Sequence, residues 1–325
     1  MPFFLGIDGG GTHTQAWLGD EGGRVLAAAM AGPSNPIKVG MEAAKEEVLR
    51  AARAVLRKVP KVAARQAGSA TGSARGRRAQ PGLEAVCAGL AGVDRASVSR
   101  PLRAWLRKAI PAQHHLLVTD MAISLHAAIG TAPGMIVYSG TGSFAYGRNE
   151  RGETLRAGGW GAAFDDAGSG YDLGRKAVGA ALCEFDGRGE PTVLTPKICK
   201  ALKLSKITQI VQKKLEIKQV AGLSTLVSEA DRQGDRVARR LCAQAGVELA
   251  QVALALERRL GQRGTLPIVC AGGVFCASPT LRRSFAREVR RRLPSAQVRM
   301  LDREPVQGAL DMARELAASH SSALL

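Results

Sequence analysis

The chain has 325 residues, enough for two domains with cores of their own. Hydrophobic residues make up 46% and charged residues 23%, and no apolar run reaches the roughly 20 residues of a membrane span, so a globular chain is expected and a membrane partner is not. The net charge of +18 would suit nucleic acid, but aromatics are only 4%, and much of the basic excess falls on helix faces and in one Gly/Ser-rich segment, so nucleic acid is not the expected partner.

The start, MPFFLGIDGGG, lacks a basic leader, and Gly6 and Asp8 cut its apolar stretch short, which points to a cytoplasmic protein. Phe3 to Ile7, Thr14 to Leu18 and Arg24 to Ala28 read as a three-strand meander with turns at DGGGT and GDEGG. Met41, Ala44, Val48, Ala52, Val55 and Val59 recur at helical spacing. From Arg57 to Leu83 there are seven basic residues and no acid, in a segment expected to be a loop. EAVCAGLAG reads as a buried strand, Val98 to Ala109 as a helix and LLVTD as a strand. MIVYSGTGSFAYG reads as two strands across an SGTG turn, a weak repeat of the opening unit. Helices follow over about 168–184 and 223–260, then the strand Leu266 to Ala271, a helix from Ser278, the strand QVRML and a last helix, PVQGALDMARELA. Two βββαβα units predict an α/β protein of two lobes with an interdomain cleft. The expected division is 1–118, with the C-terminal helix of about 305–325 packing back on it, against 119–304.

Six cysteines without a CxxC pair read as reduced thiols, and five histidines show no metal-ligand spacing. The candidate chemistry lies in the glycine turns. In Asp8-Gly9-Gly10-Gly11-Thr12, three residues without a Cβ let backbone N–H groups approach an anion, and Asp8 could hold Mg²⁺ through water. A ligand-free tight hairpin has the same sequence. Ser139-Gly140-Thr141-Gly142-Ser143 offers the same two readings. Asp120 ends the strand LLVTD, where it is either the N-cap of a helix or the carboxylate that accepts a proton from an attacking hydroxyl. The stretch from Gly158 to Tyr171, with Gly159, Trp160, Asp165 and Asp166, reads as a loop shaped around a ligand, with a purely structural loop as the alternative. Gly272-Gly273 makes a bare strand-to-helix turn. There is no GxxxxGK[ST] loop.

Taken together, IDGGGTHT, GPSNP, GLAGVDR, VTDMAIS, VYSGTGSFAYG, GGWGAAFDDAGSGYDLG, EADRQGDRVARRL, CAGGVF and PVQGALDMA resemble the BadF/BadG/BcrA/BcrD-type ATPase family, in particular its N-acetylglucosamine and glucosamine kinases. The resemblance runs from residue 6 to about residue 313. It implies an actin/hexokinase-like (ribonuclease H-like) fold using ATP and Mg²⁺. It places Asp8, Gly10, Gly11 and Thr12 at the phosphates, joined by Thr141 and Gly142, and puts Gly272 and Gly273 by the adenosine. It makes Asp120 the general base. It gives Asn35, Gly140, Gly159, Trp160 and Asp166 to the sugar and suggests a homodimer. One departure stands out: where these kinases read Gly-Asp-Glu-Gly-Ser, this chain has Asp165-Asp166-Ala167-Gly168-Ser169, losing one carboxylate and gaining another. The expected activity is phosphorylation of an amino sugar, N-acetylglucosamine ahead of glucosamine. The competing readings are an ATPase that activates a partner and a non-catalytic sugar sensor.

Overall fold

The computed structural model describes residues 2–58, 82–261 and 265–322. Most of the basic segment expected as a loop between Arg57 and Leu83 therefore lies outside the described residues. In chain order the elements are β1 (Phe3–Gly9), β2 (Thr14–Gly19), β3 (Val25–Ala31), α1 (Pro36–Val39), α2 (Met41–Leu56), β4 (Leu83–Leu90), α3 (Ala96–Ala109), β5 (His114–Thr119) and α4 (Asp120–Ile129). Next come β6 (Gly134–Ser139), β7 (Ser143–Arg148), β8 (Thr154–Gly158), α5 (Gly170–Phe185), α6 (Leu194–Leu202), a 3₁₀ turn (Ile207–Gln212), α7 (Ile217–Gly222), α8 (Ser224–Arg232) and α9 (Arg236–Leu260). The chain closes with β9 (Pro267–Ala271), α10 (Gly273–Ala277), α11 (Pro279–Arg292), β10 (Gln297–Met300) and α12 (Pro305–Ser322).

Two units result, one of Met1–Gly130 with Asp302–Leu325 and one of Thr131–Leu301. The first holds a sheet ordered β3-β2-β1-β4-β5, the second a sheet ordered β10-β9-β6-β7-β8. Read from the other edge, the second order repeats the first, with β6 in the place of β1. The pairing sense also repeats: each meander is antiparallel, and each later strand joins parallel. The weak sequence repeat is thus a repeat of topology, on the actin/hexokinase-like plan.

In unit one, alternate residues of β1 serve opposite faces. Phe3, Leu5 and Ile7 join Val48, Ala52 and Val55 of α2 and Leu102 and Leu106 of α3 in one apolar cluster. Phe4 joins Ile123, Ala309, Leu310 and Ala313 in another. The second face packs unusually close. A Cβ on Gly6 would lie 2.5 Å from the backbone N of Leu310, and one on Gly308 would strike the carbonyl of Ile123. Two glycines therefore let α12 lie against both β1 and α4. The division expected at 118/119 accordingly falls later, after Gly130, because α4 packs on α12 within unit one.

Two further differences have local causes. The helix expected over 223–260 is two helices: Gly234 takes φ +91° and Asp235 caps α9, its Oδ1 accepting the N–H of Ala238 at 2.8 Å. The stretch Thr154–Gly158, of mixed polarity and absent from the sequence expectation, pairs as β8 with β7.

Candidate functional site

In unit one, three turns converge at the C-terminal end of β1. The carbonyl of Gly10 accepts the N–H groups of Ser34 (3.0 Å) and Asn35 (3.1 Å), which ties GPSNP to the glycine turn. The buried Thr14 hydroxyl lies 2.7 Å from both the Gly32 carbonyl and Ser34 Oγ. A Cβ on Gly9 would overlap Ser34 Oγ and Leu90, and one on Gly92 would come within 2.7 Å of Asn35 Oδ1. The turn thus demands glycine for close approach as well as for any ligand. Gly10 N donates to the His13 carbonyl at 3.0 Å, while the N–H groups of Gly11 and Thr12 find no partner among the described residues. Those two groups face no competitor for an anion.

Asn35 caps α1, its Oδ1 accepting the N–H of Ile37 at 3.0 Å. Its amide Nδ2 keeps both hydrogens without a partner among the described residues, so a sugar hydroxyl could take one. Asp120 was expected as either cap or base. Thr119 is the cap, its Oγ1 accepting the N–H of Ala122 at 3.2 Å. Asp120 is the first residue of α4, with Oδ1 accepting the adjacent Met121 N–H at 3.0 Å.

The electrostatics around these acids are one-sided. Burial pushes the Asp8 carboxyl up to about 7, reinforced by the charges of Asp120 and Glu304. Burial also holds Asp120 above the ordinary carboxylate range; the Met121 N–H pulls the other way and Asp94 adds to the rise. Neither acid has a salt-bridge partner among the described residues. Gln15 stands opposite Asp8 in the β1–β2 register, and its buried Oε1 has no hydrogen bond. A carboxylate beside an orphaned acceptor suits a hydrated divalent cation, whose waters donate to both. No group of three or more His, Cys, Asp or Glu able to cage a metal occurs among the described residues, so the fit is to Mg²⁺ held through water and phosphate.

Unit two builds a second cluster. The Ser139–Ser143 turn is closed by Gly140 N donating to Gly142 O at 2.9 Å. Its two flanking hydroxyls reach the acidic loop: Ser139 Oγ donates to Gly168 O and Ser143 Oγ to Ala167 O, each at 2.8 Å. The start of α5 docks on the same turn, with Gly170 N donating to Gly140 O at 2.7 Å. A Cβ on Gly142 would come within 2.7 Å of Asp166 Oδ2. Asp166 is buried at 7% exposure and takes φ +63°, a conformation Asp tolerates better than most residues. Burial raises its proton affinity, against the Gly161 N–H that it accepts. Gly272, at φ +98°, lies so close to Ser139 that any Cβ would run into that residue's backbone, whereas Gly273 faces open space.

Gly140, Thr141, Gly142, Asp166 and Gly272 are therefore one neighbourhood. Gly159 belongs to it as well, since its Cβ would lie 3.0 Å from that of Phe144 on β7. Trp160 stands apart, 68% exposed, with the Arg156 guanidinium 4.7 Å above its ring. Beside it Phe164, Asp165, Ala167, Glu248 and Val252 line an open groove of about 530 Å³. Sequence reasoning missed Thr14, Ser34, Ser139 and Ser143 as the hydroxyls that set the turns, and Glu304 as the acid that α12 brings toward Asp8. The signal for the serines was their place beside glycine turns; nothing local marked Glu304.

Cys87, Cys242 and Cys270 are buried, and burial pushes the Cys270 thiol up to about 12. No helix among the described residues is long and apolar enough to cross a membrane.

Comparison with known proteins bears on the family and the fold. The pattern of the BadF/BadG/BcrA/BcrD ATPase family matches residues 5–313. The chain is 32% identical to an N-acetylmuramic acid/N-acetylglucosamine kinase of Clostridium acetobutylicum, over 97% of this chain and 99% of that one. It is 26% identical to an N-acetyl-D-glucosamine kinase of Dictyostelium discoideum, over 94% and 96% of the two chains. A solved structure from Chromobacterium violaceum, described as a candidate N-acetylglucosamine kinase, aligns with TM-score 0.73 at 28% identity, covering 96% of this chain and 99% of that one.

Proposed function

The chain belongs to the BadF/BadG/BcrA/BcrD ATPase family, and on that premise we propose that it transfers the γ-phosphoryl group of ATP to a hydroxyl of an amino sugar, N-acetylglucosamine first among the candidates. The observation that carries the reading is Asp120: a half-buried carboxylate at a strand end, released from capping and paired with no cation among the described residues. Its raised proton affinity fits a base that must take a proton from a weakly acidic hydroxyl near neutral pH.

In the transfer, the sugar oxygen bonds to the γ-phosphorus as the bond to the bridging oxygen of ADP breaks. ADP leaves with that electron pair, and the hydroxyl proton passes to Asp120. The N–H groups of Gly11 and Thr12, without a partner among the described residues, bind phosphate oxygens, and the Asn35 amide orients the sugar. In unit two, Thr141 and Gly142 supply phosphate contacts, and Asp166 takes sugar hydroxyls. Mg²⁺, when bound, neutralises phosphate charge, with Asp8 and Gln15 accepting from its waters. Positioning and charge neutralisation carry most of such a reaction.

The test is ADP release with N-acetylglucosamine, glucosamine, N-acetylmuramic acid and glucose. Turnover is expected with at least one amino sugar and to collapse without Mg²⁺. ATP hydrolysis indifferent to every sugar, yet raised by a partner protein, would sink the proposal.

A further inference from the structure

Lys38 stands one residue before the end of α1, a helix of four residues that GPSNP leads into. Its side chain runs back over the glycine turn. A Cβ on Gly11 would lie 3.1 Å from Lys38 Nζ, 3.4 Å from its Cδ and 3.7 Å from its Cε. The ammonium group makes no hydrogen bond or ion pair among the described residues. That is notable here, because Asp120 and Glu304 lie in the same unit as Asp8 and their charges add to the rise in its proton affinity. Lys38 relieves none of them by a salt bridge, so its charge remains available to a ligand on the turn.

What could occupy that place is constrained by its neighbours. Lys38 lies against the turn whose Gly11 and Thr12 N–H groups, unpartnered among the described residues, favour an anion. Three residues earlier on the same segment stands Asn35, whose amide Nδ2 has no partner among the described residues while its Oδ1 caps α1. An ammonium at the anion cradle, on the segment that carries a hydroxyl-binding amide, is placed for the group that passes from nucleotide to sugar. We propose that Lys38 is a phosphate-binding residue of this kinase, holding the γ-phosphoryl oxygens of ATP as that group passes to the sugar. The inference rests on the phosphate reading of the Gly10–Thr12 turn. A compact ammonium suits this task as a point charge that follows the equatorial oxygens, where charge accumulates in a loose transition state.

The experiment compares wild type, Lys38→Met and Lys38→Arg. Dissociation constants for ATP and ADP are measured by calorimetry without sugar, and kcat and KM are measured with the best sugar. Lys38→Met should weaken ATP binding several-fold while ADP binding stays within about twofold, because ADP lacks the γ-phosphate. Its kcat should fall roughly 10–10²-fold, with Lys38→Arg recovering part of it and melting temperatures unchanged. Equal ATP affinity and equal kcat would make Lys38 a solvated lysine and overturn the proposal. So would equal losses for ATP and ADP, or a loss confined to a carboxylate-bearing sugar such as N-acetylmuramic acid. The nucleotide measurements need no sugar turnover, so they judge Lys38 even if the sugar assignment fails. A wild-type chain that binds neither nucleotide would remove the turn reading and this inference together.

Discussion

The Thr119 hydroxyl accepts the N–H of Ala122 at 3.2 Å, so the first turn of α4 is capped without Asp120. Mutating Asp120 therefore tests chemistry rather than helix stability. Asp120→Asn keeps the size of the side chain and its acceptor for Met121. We expect kcat to fall roughly 10²–10⁴-fold, ATP affinity to survive and the melting temperature to move little. Near wild-type turnover would send the search for the base to Asp166.

Asn35 carries two duties that a single substitution can separate. Asn35→Asp retains an oxygen for the Ile37 N–H but loses the amide donor. The expected result is a rise in sugar KM of tenfold or more with a nearly unchanged melting temperature. Asn35→Ala loses both, adding a stability cost of about 0.5–2 kcal/mol. Equal sugar KM in wild type and Asn35→Asp would leave Asn35 as a cap alone.

The contrast between these residues shows what the sequence made legible. The glycine turns, the buried strands and the meander were readable because short-range rules govern them. Gly10–Thr12 sits between two apolar strands, and PVQGALDMA has helical periodicity. Asp120 stayed ambiguous because a strand-end carboxylate before a helix satisfies capping and catalysis equally well, and only the Thr119 hydrogen bond separates the two. Glu304 was invisible for another reason. Its approach to Asp8 depends on α12 lying against β1 through Gly6, a contact between residues some 300 positions apart. β8 was missed because a strand of mixed polarity takes its identity from its partner β7 rather than from its own pattern.

Gly272 and Gly273 adjoin in sequence but differ in what a methyl group would meet. Gly272→Ala forces a Cβ into the Ser139 backbone at φ +98°, and we expect a loss of more than about 2 kcal/mol in unfolding free energy. Gly273→Ala meets open space in a helical position and should leave stability unchanged or slightly raised. If adenosine lies on this turn, Gly273→Ala raises the ATP KM several-fold while kcat holds. Nucleotide affinity equal to wild type in that variant would move adenosine elsewhere.

The acids of unit one predict how the ligand-free chain responds to pH. Asp8 has a folded value of about 7 against 3.8 for an unperturbed carboxyl. The folded chain therefore holds this proton more tightly than the unfolded chain, and between those two values folding takes up a proton. The contribution to stability is fully present below about 3.8 and is lost as pH rises through about 7. Urea unfolding at pH 5 and pH 8 should thus show the ligand-free protein less stable at the higher pH. Asp8→Asn, which cannot ionise, should flatten the Asp8 share of that slope and raise stability at pH 8 by about 1–2 kcal/mol. Mg²⁺ with nucleotide should flatten it in the wild type, since a cation beside Asp8 favours the ionised form. A wild-type chain as stable at pH 8 as at pH 5, with Asp8→Asn no different, would mean that Asp8 is already neutralised by a group of the protein itself, and the case for a cation at that carboxylate would fall with it.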